Sequence, residues 1–505
     1  MKGLSFDNPF IFLCEMPSLC LHFDFHRNNE EIENMIIVRK KEMNGKETAN
    51  ISFSDKDEEK TAGELLWNRK TGVVVDIGTT TIAMAVYDLS TYEKLGEISE
   101  MNRQTQWGAD VMMRVMHCIS NREQILHEMV VTQIEQMLEN ILERISKEEI
   151  LTGDTMIFSV VGNTVMTHIF LAQDVSGMAG YPFTEAYKGT FYCTGKDIGM
   201  EKFPDARVIV PSGISAHVGS DALCMAGAVS LFRNDRIQLA VDMGTNAEII
   251  LNVKGKRYAC SAAAGPAFEG KGIQCGMRAK EGAIAGASIS AQNGNILLDV
   301  LKKSGKESYN AAEPRGICGS GLISLIAQLV KCHVVQEDGY FKSQEEIEEN
   351  KGMQMLKKSL ITREKNGIKE NGICLSERNR VYLMQSDIRQ FQLAKAAIQA
   401  GMCVLMKQQH LLWEDLDECI VAGVFGTVLH LKDAQSIGLL PDIPREKIRF
   451  VGNAAGAGAA RVLMQEGFLE NIEQEAKKIT HSELANDNTF QDAMLDAMSL
   501  VPWKG

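Results

Sequence analysis

The feature that most limits how this chain can fold is a pattern that occurs twice. Val73-Val74-Val75 reads as a strand buried on both faces, since three β-branched residues in a row offer water no polar side. It runs into Asp76-Ile77-Gly78-Thr79-Thr80-Thr81, and a second apolar run follows at 82–87. The pattern is strand, tight turn, strand. Gly78 lets the backbone turn and lets a ligand come close. Thr79, Thr80 and Thr81 offer N–H and hydroxyl groups to a phosphate. Asp76 can anchor a hydrated Mg²⁺, which takes one or two carboxylates and keeps several waters. Taken alone, the stretch reads equally as a β-hairpin with a polar turn. The arrangement returns 166 positions later, where 237–241 leads into Asp242-Met243-Gly244-Thr245-Asn246 and 247–251 follows. Two such units predict two similar halves, each pointing an acidic hairpin at a shared cleft. Phosphates clamped between the turns, with Mg²⁺ between the acids, make a workable nucleotide site.

That arrangement resembles the superfamily of actin, sugar kinases, acetate kinase and heat-shock chaperone ATPases. The resemblance implies an α/β protein, an actin-like ATPase with two ribonuclease-H-like lobes around a nucleotide cleft. The expected division is a small N-terminal region and linker over 1–70, a first lobe over 71–235 and a second over 236–450. C-terminal helices over 451–505 are expected to return to the cleft and first lobe.

Composition narrows the function. A chain of 505 residues is too long for one compact core. The net charge of −13 leaves no basic excess to neutralise phosphates along a nucleic acid. An acid stands early, at Asp7, and the apolar run 10–13 is too short for a signal core. No run approaches the length of a membrane span. The expected compartment is a reducing cytoplasm, with the twelve cysteines as free thiols. They are scattered, and no C-x₂-C pair occurs. Cys14 and Cys20 lie near His22 and His26, but these spacings match no standard metal site. Residues 40–70 read as a solvated linker.

In the first half a third strand is expected near 94–99. Asp110 is placed to start a helix over 111–119, with positions 111, 112, 115, 116 and 119 on one face. A long amphipathic helix is expected over 122–146, with Ile125, Met129, Ile134, Met137, Ile141 and Leu142 as its buried stripe. A strand at 155–161 ends in Gly162-Asn163-Thr164, which is either a polar-ligand turn or a helix cap. His217 is either a cleft group or an ordinary loop histidine. Asp221, at the start of a small-residue helix over 222–231, is the better cleft candidate, though capping explains it too.

In the second half, 261–279 is dense in Gly and Ala, which implies close backbone packing or close approach to a ligand. Glu269 is the one carboxylate in that segment, with either a catalytic or Mg²⁺-linked role or a loop-anchoring one. Gly316-Ile317-Cys318-Gly319-Ser320-Gly321 precedes an apolar helix over 322–330 and can cradle an anion, though it lacks the Lys and spacing of a Walker loop. Residues 340–370 are highly charged and read as an exposed insertion. A helix over 385–409 is expected, capped by Ser386 or Asp387. Residues 420–422 break into Gly423-Val424-Phe425-Gly426, a turn that holds the adenosine in the actin-like superfamily. A Gly- and Ala-rich helix after 448–451 suits an interdomain hinge.

Several of these segments resemble one family more closely, the ATP-dependent reductive activators of corrinoid proteins. They are Asp76 to Thr81, Val161-Gly162-Asn163-Thr164-Val165-Met166, Asp242 to Glu248, Gly316 to Gly321, the run 386–397 from Ser386-Asp387-Ile388-Arg389, and Ala422 to Gly426. The resemblance covers roughly residues 71–465. It implies an ATP hydrolase that helps return an inactive Co(II) corrinoid to Co(I) in a methyltransferase system of anaerobic metabolism. It also implies a corrinoid protein as client and a homodimer. Family members carry a plant-type 2Fe–2S domain before the ATPase or ferredoxin-like clusters after it. This sequence has neither C-x₄-C-x₂-C near its start nor C-x₂-C-x₂-C near its end. Three readings follow: a chain served by a separate ferredoxin or flavodoxin, an ATP-driven remodeller of a corrinoid protein, or a divergent relative with another client.

On this reading ATP and Mg²⁺ are the cofactors. Asp76 and Asp242 hold the Mg²⁺ water shell, and with Glu269 they are the catalytic candidates. Gly78, Thr79, Thr80, Gly244, Thr245 and Asn246 cradle phosphates, and Gly423 and Gly426 approach the adenosine. From other function classes stand a small-molecule kinase, in which Asp221 or Glu269 activates a substrate hydroxyl, and a nucleotide-dependent interaction module without turnover.

Overall fold

A computed structural model describes residues 71–503 except 109, 146–155, 233–234, 291, 303–312, 348–353, 366, 424–428 and 486. The chain divides into two units, Met1–Ala62 and Gly63–Gly505. The whole first unit, with Cys14, Cys20, His22 and His26, lies outside the described residues.

Two six-stranded sheets form the frame. The first contains β1 (Thr71–Ile77), β2 (Thr81–Asp88), β3 (Lys94–Met101), β4 (Met156–Gly162), β5 (Phe191–Thr194) and β6 (Arg207–Val210), in the order β3-β2-β1-β4-β6-β5. The second contains β7 (Ile237–Met243), β8 (Ala247–Val253) and β9 (Lys256–Ala262). Two three-stranded sheets come next in the chain. One is built from β10 (Ala283–Ile289), β11 (Ile296–Val300) and β12 (Gly316–Ile317), the other from β13 (Leu360–Lys365), β14 (Ile368–Ser376) and β15 (Val381–Met384). The second large sheet is completed by β16 (Glu418–Ala422), β17 (Ile448–Gly452) and β18 (Ile479–His481), in the order β17-β16-β7-β8-β9-β18.

The large sheets share one plan. In each, three successive strands pair antiparallel as a meander, and the first of the three then pairs parallel with a later strand (β1 with β4, β7 with β16). Asp76 and Asp242 thus occupy the same place, the end of a central strand at the turn of its hairpin. The double burial of β1 has two causes. Val73, Val75 and Ile77 pack into a core with Leu126, Val130 and Ile134 of α2 (Glu123–Ile145), which follows α1 (Val111–His117). Val74, on the opposite face, packs with Ala455, Ala459 and Val462 of a C-terminal helix, Ala454–Met464.

Helix packing explains the small residues. After α3 (Thr164–Phe170) comes α4 (Ser220–Ala228), which serves both sheets. Its Leu223 and Cys224 join the first sheet's core, and its Ala222, Met225 and Ala226 pack with Ala240, Ile250 and Ile420 of the second. Beyond α5 (Gly319–Lys331) and the long α6 (Gln385–Gln408), helix Ala454–Met464 is α7 and crosses α4. A Cβ on Gly458 would stand 2.1 Å from the Cys224 carbonyl oxygen, so the crossing requires a bare backbone.

Some local expectations shift. The α2 stripe holds Ile134, Met137, Ile141 and Leu142 as expected and adds Leu126, Val130, Val131 and Leu138, while Ile125 is 41% exposed. In α1 only Val111, Arg114 and Val115 are buried, and Met112 and Met116 face out. A 3.6-residue period allowed either face, and the polar Arg114 took an inward place. Residues 340–370 are not wholly an exposed insertion, since Phe341, Leu356 and Leu360 join the core and β13 pairs with β14. Asp387 is not the residue before the helix. It lies in the first turn of α6, accepts from the Met384 N–H at 2.9 Å and from the Gln274 N–H at 2.8 Å, and so ties the helix to the Gly-dense segment.

Candidate functional site

The two hairpins meet. The Thr80 and Thr245 hydroxyl oxygens lie 2.9 Å apart, one from each sheet. Thr245 also donates to Glu269 Oε1 at 2.7 Å. Glu269, from the Gly-dense segment, therefore anchors the second turn directly. Gly244 N–H closes that turn on the Asn246 carbonyl at 3.0 Å, and Gly265 N–H holds the Thr245 carbonyl at 2.8 Å.

The first turn is held from behind. Asn102 donates its side-chain N–H to the Gly78 carbonyl at 3.0 Å and its backbone N–H to the Thr80 carbonyl at 2.9 Å. Asn163 Nδ2 donates to Thr79 Oγ1 at 3.1 Å while its Oδ1 accepts the Met166 N–H at 3.0 Å. The Gly-Asn-Thr turn is thus both a helix cap and a support for the hairpin. Arg114 is fully buried and donates to the Thr79 carbonyl, to Gln104 Oε1 and to the Gly108 carbonyl. All of these acceptors are neutral, and burial lowers the Arg114 pKa to about 10.

On one side of the junction four carboxyl groups converge. Asp242 on β7 stands opposite Glu248 on β8 in register. Asp76 accepts from Asn453 Nδ2 at 3.0 Å, and Asp221 lies in the first turn of α4. Burial pushes Asp76 up to about 6, against the pull of the Asn453 bond. Burial, then the Asp76 charge, pushes Asp242 up to about 7. Burial, then Asp76, raises Asp221, and burial followed by the Asp221 and Asp242 charges raises Glu248. Carboxylates so placed repel one another until a cation joins them. Among the described residues no three acids, histidines or cysteines are gathered to ligate one ion directly. The set suits an ion held through its own waters.

On the other side stand cations. Arg278 crosses from the second half and donates to Thr81 Oγ1 at 2.8 Å. Lys271 lies near Glu269, Arg114 and Arg278, and burial lowers its pKa. Gly423 follows β16 at φ +101°, and a Cβ there would meet the Met243 carbonyl oxygen at 2.8 Å and Asp242 Oδ1 at 3.1 Å. Gly426 lies outside the described residues. His217 packs edge-on against Phe183, with ring centroids 4.4 Å apart.

Sequence reasoning found both hairpins, Glu269, Asp221 and Gly423. It assigned nothing to Asn102, Arg114, Glu248, Lys271, Arg278 or Asn453, which reach the junction only through tertiary packing. The signal for Glu248 was in the run Asp242 to Glu248, since residues directly opposite in a hairpin face the same side of the sheet.

Comparison with known proteins settles the family. Residues 71–234 match the model described as the RACo middle region, and residues 236–504 match that of the C-terminal domain of RACo, the ASKHA domain. The chain belongs to the RACo family. With it comes the actin-like ATPase fold expected above. A relative from Eubacterium limosum, the corrinoid activation enzyme RamQ, is 30% identical over 84% of this chain and 69% of its own length. The [Co(II) methylated amine-specific corrinoid protein] reductase of Methanosarcina barkeri is 27% identical over 85% of this chain and 76% of its own. The solved reductive activator for corrinoid, iron–sulfur protein superposes with a TM-score of 0.75 and 31% identity, over 86% of this chain. This chain covers 66% of that protein's length. No helix among the described residues is long and apolar enough to cross a membrane.

Proposed function

We propose that this RACo-family chain binds ATP with Mg²⁺ between its two hairpins, hydrolyses it, and so activates a corrinoid protein by assisting reduction of Co(II) to Co(I). The observation that carries this reading is the meeting of two Asp-x-Gly-Thr hairpins from separate sheets at the Thr80–Thr245 contact. The named activities of the relatives support the client, and cobalt reduction takes one electron from a low-potential donor. We assign that donor to a separate ferredoxin or flavodoxin. The proposed layout is the one expected above: N-terminal region to residue 70, lobes over 71–235 and 236–450, and returning helices over 451–505.

The residues fit a metal–nucleotide. Asp76 and Asp242 would hold the water shell of Mg²⁺, with Asp221 and Glu248 adding charge behind them. Bound Mg²⁺ would supply charge neutralisation at the phosphates. Gly78, Thr79, Thr80, Thr245 and Asn246 present N–H and hydroxyl donors to the phosphates, and Gly244, whose N–H closes the turn on Asn246, lets them come close. Glu269 orients the Thr245 hydroxyl. Gly423, with no side chain, leaves the base of the cleft open to the adenosine, and Gly426 is assigned beside it. Because the donors come from both halves, a nucleotide that satisfies them draws the halves together. Docking on a client can then be made to depend on the nucleotide.

The test is ATP hydrolysis by the purified chain, with and without a Co(II) corrinoid protein and a low-potential reductant, while the cobalt absorbance is followed. Faster hydrolysis accompanied by Co(I) is the expected result. ATP consumption that ignores the corrinoid protein but needs a small hydroxyl acceptor, yielding ADP and the phosphorylated acceptor, would replace this reading with a kinase.

A further inference from the structure

Charge does not balance where the hairpins meet. Among the described residues the four carboxyl groups on one side make no ion pair with a lysine, arginine or histidine. On the other side Lys271 and Arg278 have no carboxylate bonded to them among the described residues. Arg278 uses one of its five N–H groups, on the Thr81 hydroxyl. The Lys271 ammonium makes no hydrogen bond or ion pair there. Glu269, the carboxylate nearest to it in the chain, already takes the Thr245 hydroxyl. Partly buried cations left this way are costly until an anion joins them.

Position suggests which anion. Thr81 and Thr245 meet Arg278 and Glu269, while Asp76 and Asp242 stand near the ends of the strands that lead into the same two turns. A metal held on the acidic side, and phosphates held on the hairpin donors, leave the basic side for the last group of a polyphosphate. A third phosphate adds the negative charge that two free cations can balance. Both cations ride on the Gly-dense segment of the second half, and Arg278 already bonds to the first half. We propose that Lys271 and Arg278 bind the terminal phosphate of a nucleoside triphosphate and make this site select triphosphate over diphosphate. The proposal rests on the nucleotide reading above. Arg114 is different in kind. It grips the backbone of the first turn from behind, so it serves any nucleotide alike.

The experiment is calorimetric titration of the full-length chain with ATP and with ADP, each with Mg²⁺, for the wild type, Lys271→Met, Arg278→Met and Arg278→Lys. Each Met variant should weaken ATP by about tenfold or more, the scale of one lost charge-assisted bond, and ADP by much less. Arg278→Lys should recover part of the loss. Equal weakening of both nucleotides, or of neither, overturns the proposal while leaving nucleotide binding in place. A wild type that binds neither nucleotide overturns the underlying reading. Should Arg278→Met not fold, Lys271→Met and the salt dependence of wild-type binding still decide. ATP must then lose affinity more steeply with salt than ADP does, and parallel slopes overturn the proposal.

Discussion

At Asp76, Asp221 and Asp242 the folded protein favours the protonated carboxyl, because burial raises all three above the ordinary 3.8 and the Asp76 charge adds to the rise at Asp221 and Asp242. The sign of the consequence is fixed. The stability that these groups contribute is fully present below about pH 4 and is lost as pH rises through about 6 to 8. A divalent cation among them reverses the penalty. Mg²⁺ should therefore raise the melting temperature more at about pH 8 than at about pH 5, and Asp242→Asn should abolish most of that difference. Calorimetric melts with and without the metal read this directly, and a gain that does not change with pH would refute it. His168 titrates in the opposite sense. It is buried, its Nδ1 lies 2.7 Å from the Thr164 carbonyl, its ring stacks on Tyr187 at 4.3 Å, and its Nε2 has no partner. Burial lowers its pKa to about 4. It thus favours the fold above about pH 6.5, and this contribution drains away as pH falls towards about 4. The wild type should lose about 3 kcal/mol relative to His168→Phe between pH 7 and pH 4, measured by urea unfolding.

Elements carry what single residues cannot. Helix α1 faces outward with Met112 and Met116 and inward with Arg114, whose bonds to Thr79, Gly108 and Gln104 fix the first turn. Arg114→Met should cost about 1–3 kcal/mol of stability, because it orphans buried acceptors, and should weaken ATP and ADP equally. Urea midpoints and titration of both nucleotides check the pair of effects. The crossing of α4 and α7 is tighter still. Gly458→Val would drive a side chain into the Cys224 carbonyl and should cost about 3 kcal/mol, or block folding, as read from the soluble yield and the unfolding midpoint. The sequence made the hairpins legible because strand, acid, Gly and Thr are neighbours in the chain, and local chemistry suffices to read them. It made the small-residue helix legible for the same reason. It hid Arg114, since an arginine in an amphipathic helix is ordinarily solvated, and only the path of 103–110 brings it under Thr79. It hid Lys271 and Arg278 because a Gly-dense segment has no period from which to infer where its side chains go. The α2 stripe held at Ile134, Met137, Ile141 and Leu142 and moved by one residue only in its first turns, where Ile125 and Leu126 are equally apolar and the sheet decides between them.

At the scale of the whole molecule, two halves built on one plan are joined by the α4–α7 crossing and by polar contacts at the hairpins. The crossing is apolar and close-packed. The hairpin contacts, Thr80 with Thr245 and Arg278 with Thr81, lie where phosphates are proposed to bind. In this structure the Thr80 hydroxyl meets Thr245 Oγ1, whose own proton goes to Glu269. With a nucleotide, each would turn to a phosphate oxygen, and their mutual bond would be exchanged for two separate ones. Coupling between Thr80 and Thr245 should therefore depend on the ligand. A double-mutant cycle with Thr80→Val, Thr245→Val and the pair should show about 0.5–1.5 kcal/mol of coupling in the nucleotide-free chain, measured by urea unfolding. In saturating Mg²⁺·ATP the coupling should fall towards zero. Linkage then requires the affinities of the four proteins for ATP to show the same coupling with opposite sign. Agreement between the two measurements would identify the hairpin junction as the place where nucleotide is traded for closure. Coupling that persists unchanged with ATP bound would put the phosphates elsewhere and leave the Thr80–Thr245 contact as a fixed strut between the halves.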